Sequence, residues 1–377
     1  METILSAEDL KYQEKCRSYA AIELTRLAKK YGEINDVPDE LRQSLAEAGM
    51  FKYLIPKEYG GSGISAVRIC IAREILAGVF SPADVTLAMQ GLGSYPIVLA
   101  GTSDQKKRYL PNIVSGEKLT TFALTEPNAG SDVSNLETEA KKVDGGFELN
   151  GRKRFISNGY SADMAVVFAK TPSEENPRSI SAFIIEKGTP GFEVKRRLEL
   201  MAAHDIVSLK FEKAVVPAKN LLGNIGDGFK IAMQTLDLMR MSVGAAALGM
   251  GQTALDESLA YAAKRVQFGT PIGRQQGIMF KLSEMATELM AARMLVFRAA
   301  IKKDNGAPDV TLAASMAKLY GTEAASRAID QAVQIHGGVG VMKGSVVERL
   351  YREIRPLRIY EGTSEIQKLV ISRFLFK

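Results

Sequence analysis

The 377-residue chain contains no tryptophan and only two histidines and two cysteines. With His204 and His336 alone, Ser-His-Asp triads, HExxH motifs and multi-histidine metal sites have almost nothing to work with, so acid–base chemistry falls mainly to carboxylates. Cys16 and Cys70 lie outside any CxxC pair, which excludes a disulfide framework, zinc modules and CxxC redox chemistry and suits a reducing compartment. The longest uncharged run, from Val85 to Ser103, has the length of a membrane span but holds Gln90, Ser94, Pro96 and three glycines, so no transmembrane helix is expected. The first fifteen residues lack the cationic start and apolar core of a signal peptide and are too acidic for a transit peptide; the cytoplasm is the expected location. No long block of one charge occurs either. Lys and Arg total 49 against 43 Asp and Glu, a formal net charge of +6 with short clusters such as Arg152-Lys153-Arg154 and Lys195-Arg196-Arg197. That is thin for duplex binding and no nucleic-acid partner is expected; the clusters are solvated surface or attract a phosphate-bearing ligand.

What is present is average for a folded globular protein: 46% hydrophobic and 24% charged residues. At roughly 100 to 200 residues per domain the length suggests two or three domains, and three compositional segments follow one another. Residues 1–116 read as helical: Ser6 with Asp9 three positions on resembles a capping box, and Pro38 followed by DELRQSLAEAG reads as a helix opened by Pro38 at its first position and closed by Gly49. Over 117–226 the period becomes two. A hairpin signal lies at Val143-Asp144-Gly145-Gly146-Phe147, and MAVVFA, ISAFII and VSLKF read as further strands of a small antiparallel sheet or barrel. Over 227–377 long helices return. Ile278, Leu282, Met285, Leu289, Ala292, Val296 and Ala299 alternate in steps of four and three, the seam of a bundle helix, and 310–335 has an alanine-rich face suited to close packing between helices or subunits.

Five segments hold candidate chemistry. FALTEPNAGSD (122–132) leaves the first expected strand of the middle segment; Thr125, Ser131 and its backbone N–H groups could receive a polar cofactor edge, or it is an ordinary turn. RFISN (154–158) sets Phe155 and Ser157 two apart, so on one face of a strand, where a flat aromatic ligand could lie; a core phenylalanine beside a solvated serine reads equally well. Arg265, followed by Val266, Gln267, Phe268, Gly269 and Pro271, forms a helix end and tight loop whose guanidinium could grip a diphosphate. Gln334-Ile335-His336-Gly337-Gly338 ends a helix in paired glycines, either a close approach to a ligand or a simple cap. Finally, Tyr360-Glu361-Gly362-Thr363 puts a carboxylate immediately before a helix capped by Thr363 or Ser364, where it can point into a cavity or serve as a surface charge.

The order and spacing of FALTEPNAGSD, RFISNG, RVQFGTPIG, QIHGGVG and IYEGTSEIQ together resemble one family over nearly the whole chain, the acyl-CoA dehydrogenases, flavoproteins that desaturate acyl-CoA thioesters. The resemblance implies an α+β fold: an N-terminal helical domain, a middle antiparallel β-domain and a C-terminal four-helix bundle, the order read above from periodicity. It implies FAD as cofactor, an acyl-CoA substrate, an electron-transfer flavoprotein as acceptor and a homotetramer. Phe122, Leu124, Thr125 and Ser131, with Phe155, Ile156 and Ser157, would embrace the isoalloxazine ring. Arg265, Val266, Gln267, Phe268, Gln275, Gln276, Gln334, Ile335, Gly337 and Gly338 would hold the ribityl-diphosphate and adenine, partly from a neighbouring subunit, with Thr363 and Glu365 near the same cofactor. Ser131, Asp237, Arg240, Tyr360 and Gly362 would contact the acyl-CoA. The family's base matches Glu361; the alternative base position of some members, just before an arginine, is Met239 here. Many members have tyrosine and tryptophan where this chain has Phe122 and Phe155.

The implied chemistry suits these residue types. An α C–H beside a thioester is a very weak acid, so hydrogen bonds must stabilise the developing enolate, and a buried carboxylate has its pKa raised toward that of the activated substrate. Within the superfamily, Glu361 in place of aspartate argues against nitroalkane oxidation and the compact length against typical acyl-CoA oxidases. The short stretch after Glu361 is expected to leave no room for the basic domain of a DNA-binding alkylation-response relative. Ala88, Gly91, Gly93 and Gly244 hint at short, branched or cyclic acyl groups, Asp84 stands where a glutaryl-selective relative would have arginine, and CoA or acyl carrier protein both remain open as the carrier.

Overall fold

The computed structural model of the chain describes residues 4–172, Asn176 and 179–376. Helix α1 (Ala7–Tyr19) begins where the Ser6 hydroxyl oxygen accepts the Asp9 backbone N–H, the cap expected from that pair, and continues through a widened turn at Ala20–Leu24 into α2 (Thr25–Tyr31). In α3 (Asp39–Glu47) Pro38 occupies the capping position one residue before the helix rather than its first position, and Gly49 closes the end at φ +76°. Helices α4 (Ala66–Val79), α5 (Ser81–Ala100) and α6 (Ser103–Val114) follow. Then come strands β1 (Thr120–Ala123), β2 (Glu139–Val143), β3 (Gly146–Ser157), β4 (Met164–Lys170), β5 (Ile180–Glu186), β6 (Phe192–Arg197), β7 (Ile206–Pro217) and β8 (Leu221–Leu222). The chain ends in α7 (Gly228–Lys264), the short hairpin β9 (Val266–Gln267) and β10 (Thr270–Pro271), then α8 (Gln276–Asp304), α9 (Val310–His336), α10 (Val346–Ile354) and α11 (Ser364–Leu375).

These elements form two compact units, one from Tyr31–Ile64 and Val85–Met239, the other from Met1–Lys30, Ser65–Asp84 and Arg240–Lys377. The first holds the sheet, ordered β6-β7-β3-β2-β4-β5-β8 with β1 beside β4. The hairpin foreseen at 143–147 joins β2 to β3, with Gly145 at φ +75° in its turn. The sheet is mixed rather than purely antiparallel: β1 runs parallel to β4 in register Thr120↔Met164, and β2 meets β4 parallel at Glu139↔Lys170. Strand periodicity is blind to this, because the period of two is the same whichever way a neighbour runs. Strands β4 and β5 are buried on both faces, whereas β3 and β7 alternate, and Phe147, Leu149, Phe183, Leu209 and Phe211 meet in one apolar cluster.

In the helical unit α8 and α9 pair along their length, and α10 and α11 pack on α9. The alternating seam of α8 is buried at Met285, Leu289, Ala292, Val296 and Ala299. On α9 the alanine face is buried at Ala313, Ala314, Ala317, Ala324, Ala325, Ala328 and Ala332, so it is spent on helices of this chain rather than on a second subunit. The approach of α7 to α9 is close: a Cβ on Gly321 would stand 3.0 Å from Gly244 Cα, and one on Gly244 would stand 2.9 Å from the Ala317 carbonyl oxygen.

Candidate active site

In the helical unit the turn before α11 carries Glu361. Thr363 caps the helix, its hydroxyl oxygen accepting the Ile366 N–H, and Gly362 at φ +93° reverses the chain. Glu361 itself is held in the left-handed region at φ +51°, a conformation that costs a branched or long side chain on the order of 1 kcal/mol and persists only where neighbours enforce it. The enforcing bonds are visible. Lys318 Nζ of α9 donates to the Gly362 carbonyl at 2.8 Å, Gln367 Nε2 to the same oxygen at 2.9 Å and to the Glu361 carbonyl at 3.3 Å, and Arg240 Nε of α7 reaches the Glu361 carbonyl at 3.4 Å. The Glu361 side chain is not spent on the scaffold: its Oε2 is shielded from solvent and has no hydrogen-bond partner in the chain. Burial pushes the Glu361 carboxyl above the ordinary glutamate range, opposed by Arg73, Arg240 and Lys318, and burial pushes Lys318 down to about 8.

In the sheet unit the first motif is fastened to the second. Gln90 of α5, fully buried, accepts the Thr120 N–H at 2.8 Å and fixes the start of β1, and Gly93 makes room there, since a Cβ on it would lie 2.3 Å from Thr120 Oγ1. Beyond β1, Glu126 and Lys153 form an ion pair of 2.7 Å with neither side chain more than 1% exposed. Lys153 Nζ also donates to the Leu124 carbonyl, Arg154 N–H donates to the Thr125 carbonyl, and the Thr121 hydroxyl donates to the Ser157 carbonyl. Thus 122–126 and 153–157 are locked side by side. The even alternation expected of RFISN breaks, because the β3–β7 register shifts between Lys153 and Ile156 and Phe155 turns left-handed at φ +59°. The outcome serves the same end: Phe155 is 49% exposed under the Arg154 guanidinium while Ile156 is buried. Phe122, without a hydroxyl, packs on Phe168 at 4.8 Å. His204 Nε2 lies 2.8 Å from the Ser157 hydroxyl, and burial pushes this imidazole down to about 4, so it is neutral at pH 7. Ser131 lies exposed on the loop, and Asp237, half-buried on α7, helps push up the Tyr95 hydroxyl, which burial raises first.

A third group gathers where α7 and α9 end. Tyr261 stacks on His336 at 4.4 Å, which brings the Arg265–Gln276 segment beside Gln334–Gly338. Arg265, Gln267, Gln276, Gln334, Gly337 and Gly338 are exposed there, Gln275 is half-buried and Ile335 buried, and Phe268 sits at the tip of the β9–β10 hairpin at φ +52° and 95% exposure. Thr363 is half-buried as the cap of α11, and Glu365 is exposed in its first turn. Left-handed non-glycine residues among the described positions are Phe155, Asn158, Lys213, Phe268 and Glu361, so all but Lys213 belong to the motifs singled out in the sequence.

Family models described as the N-terminal, middle and C-terminal domains of acyl-CoA dehydrogenase match residues 6–117, 121–214 and 226–376. The chain belongs to the acyl-CoA dehydrogenase family. It is 41% identical to an acyl-CoA dehydrogenase of Bacillus subtilis, the alignment covering 98% of each chain. It is 40% identical to the caffeyl-CoA reductase-Etf complex subunit CarC of Acetobacterium woodii, covering 99% of each. The butyryl-CoA dehydrogenase structure of Megasphaera elsdenii superposes with a TM-score of 0.93 at 36% identity over 99% of each chain. As a member of this family the protein is an oxidoreductase, and its cofactor is FAD. The residues present fit that group: a half-exposed aromatic lies beside hydroxyl side chains, the buried Asn158 Nδ2 next to them has no partner in the chain, and Gly337 and Gly338 have open space where a Cβ would stand. Among the described residues no cluster could hold a metal ion, and no helix is long and apolar enough to cross a membrane.

The structure gives roles to residues that sequence reasoning left without one: Glu126 and Gln367 inside the motifs, and Lys318, Lys153, His204 and the pair Arg73–Asp84 outside them. Some left a trace. Lys318 stands alone in an alanine-rich face and Arg73 in the apolar run ICIAREIL, positions where a charge needs a buried partner. Gly91, Gly93 and Gly244 do not open a cavity, because Met239, Thr120 and Ala317 occupy the space beside them.

Proposed function

We propose that this acyl-CoA dehydrogenase-family protein removes the α-proton and β-hydride of an acyl-CoA thioester to give the 2-enoyl-CoA, with Glu361 as the base. The observation that supports this most is the Glu361 carboxylate itself: occluded, free of any partner at Oε2, and set on a strained turn that three separate elements hold in place. A carboxylate so desolvated is a stronger base than one in water, and the cations around it favour its ionised form against burial. Lys318 and Gln367 position the turn, and Arg240 and Tyr360 are the proposed contacts to the acyl-CoA. FAD supplies a two-electron acceptor for the β-hydride when bound; 122–131 and 155–157 would embrace its ring, and the groups around Arg265 and Gln334, partly those of a neighbouring subunit, would hold its ribityl-diphosphate and adenine. The chain is divided for this reading at 116/117 and 226/227. An electron-transfer flavoprotein is the proposed acceptor and the cytoplasm the proposed location, in keeping with the CarC relative and with two buried cysteines. Short, branched or cyclic acyl groups are the proposed substrates, supported by the likeness to butyryl-CoA dehydrogenase. The proposed homotetramer draws on exposed apolar side chains, Phe268, Val341 and Met342 among them, since the alanine face of α9 is already covered. Light scattering of the FAD-loaded protein tests it, a monomer excluding it.

A second direction is favoured by the CarC relative, named a reductase: the same residues run backwards, Glu361 returning its proton to the α-carbon of an enoyl-CoA. Anaerobic mixing with an acyl-CoA panel should bleach the flavin of the wild type, and chemically reduced enzyme should be reoxidised by the matching enoyl-CoA. In Glu361→Gln, which keeps size and hydrogen bonding, both rates should fall by about 10²- to 10⁴-fold while FAD stays bound. Normal flavin reduction in that variant would remove Glu361 from the chemistry.

A further inference from the structure

Arg73 lies on α4 among apolar neighbours, 1% exposed, and nearly every donor of its guanidinium is committed. Nε and Nη2 grip the two carboxylate oxygens of Asp84 at 2.7 and 2.9 Å, Nη1 donates to Ser242 Oγ of α7 at 2.8 Å, and the Tyr360 hydroxyl is a further partner. A fully buried ion pair of this kind is weak evidence for stability, because apolar residues of the same volume commonly do as well or better. Its place in the fold gives it another use. Tyr360 adjoins Glu361 in sequence, and among all the charges around the Glu361 carboxylate Arg73 exerts the largest pull.

Resting on the assignment of Glu361 as the base, we propose that Arg73 is a positioning residue for it: clamped by Asp84 and Ser242, the guanidinium orients Tyr360 and sets the local charge against which Glu361 exchanges its proton. The charged and titratable groups facing Glu361 are Arg73 on α4, Asp84 on α5, Arg240 on α7, Lys318 on α9 and Tyr360 on its own turn. Arg73, Arg240 and Lys318 favour the ionised base, while burial and Asp84 oppose it. Lys318, pushed down to about 8 by burial, sheds its proton within the working range of an enzyme, whereas at Arg73 burial is outweighed by Asp84 together with Tyr360 and Glu361, and its charge stays fixed. Asp84 therefore acts as a counterweight, tempering the pull of the cation on the Glu361 carboxylate.

This gives opposite signs for two substitutions in one ion pair. Arg73→Gln removes the cation, so the acid limb of the pH profile for flavin reduction should move up by on the order of one pH unit. Asp84→Asn frees the cation from its counterweight, so the limb should move down. Arg73→Gln/Asp84→Asn leaves no buried charge unpaired and keeps the variant foldable; its limb should lie above the wild type and below Arg73→Gln. Arg73→Lys should bring the limb back toward the wild type. Infrared difference titration of the carboxyl band, with Glu361→Gln as the blank, should report the same order without turnover. Limbs and carboxyl bands that stay put, or shift in the same direction for Arg73→Gln and Asp84→Asn, would overturn the role of Arg73. If Glu361→Gln itself reduces flavin normally, the base assignment fails instead, and the two failures are distinguishable.

Discussion

Replacing Lys153 by methionine tests whether the buried Lys153–Glu126 pair is what locks segments 122–126 and 153–157 together. The substitution keeps volume and removes one ion pair of 2.7 Å and one donor, 3.0 Å from the Leu124 carbonyl. Removing one partner of a buried pair costs about 3–5 kcal/mol, because the other charge is left desolvated. Glu126 retains the Glu137 and Thr138 N–H groups, which places the loss at the lower end, about 3 kcal/mol. At about 2–4 °C per kcal/mol for units of this size, the melting temperature should drop by about 6–12 °C. Thermal unfolding followed by near-ultraviolet circular dichroism, with flavin fluorescence reporting FAD release, measures both the drop and whether the flavin leaves early. Two further results are required. Lys153→Met/Glu126→Gln should be more stable than Lys153→Met alone, since the amide no longer strands a charge. The deficit should also shrink on acidification: burial raises the Glu126 carboxyl, but Lys153 and the N–H donors bring it below the ordinary range, so the wild type loses stability as the pH falls through that lowered value. The unpaired carboxyl of the variant is raised instead and gains from protonation. A drop under about 2 °C, or strictly additive effects in the double variant, would refute the reasoning.

Glu361→Asp keeps a carboxylate but withdraws it by a methylene, and stopped-flow flavin reduction should fall about 10²-fold while remaining above that of Glu361→Gln. Gly321→Ala drives a methyl to 3.0 Å from Gly244 Cα, so α7 and α9 must part; the cost of overpacking, about 1–3 kcal/mol, should exceed the helix-propensity gain and lower the melting temperature, and a rise would show that the crossing is loose. Burial pushes the Cys16 thiol up to about 11 and the Cys70 thiol still further, so native protein at pH 7.5 should resist iodoacetamide until unfolded; mass spectrometry showing prompt alkylation of either would contradict their burial.

Local rules determined a good deal without any structure. The Ser6 cap, the Asp144-Gly145 hairpin, the apolar strands from Met164 and Ile180, the α8 seam and the Thr363-capped helix behind Glu361 all depend on neighbours within a few residues, and the sequence shows those neighbours. The five motifs carried the family because each needs particular residue types in a fixed order. Direction and partnership were another matter. Periodicity cannot say that β1 runs parallel to β4, that a bulge turns Phe155 outward, or whether an alanine face meets its own chain or another. Nor could it pair Lys153 with Glu126, Lys318 with the Gly362 carbonyl, or Arg73 with Asp84, Ser242 and Tyr360. Their energies depend on removal from water and on separations of about 3 Å between residues up to hundreds of positions apart, which a one-dimensional pattern does not contain. The sequence by itself determined that Glu361 sits on a turn just before a capped helix; only the tertiary structure decided which charges surround its carboxylate.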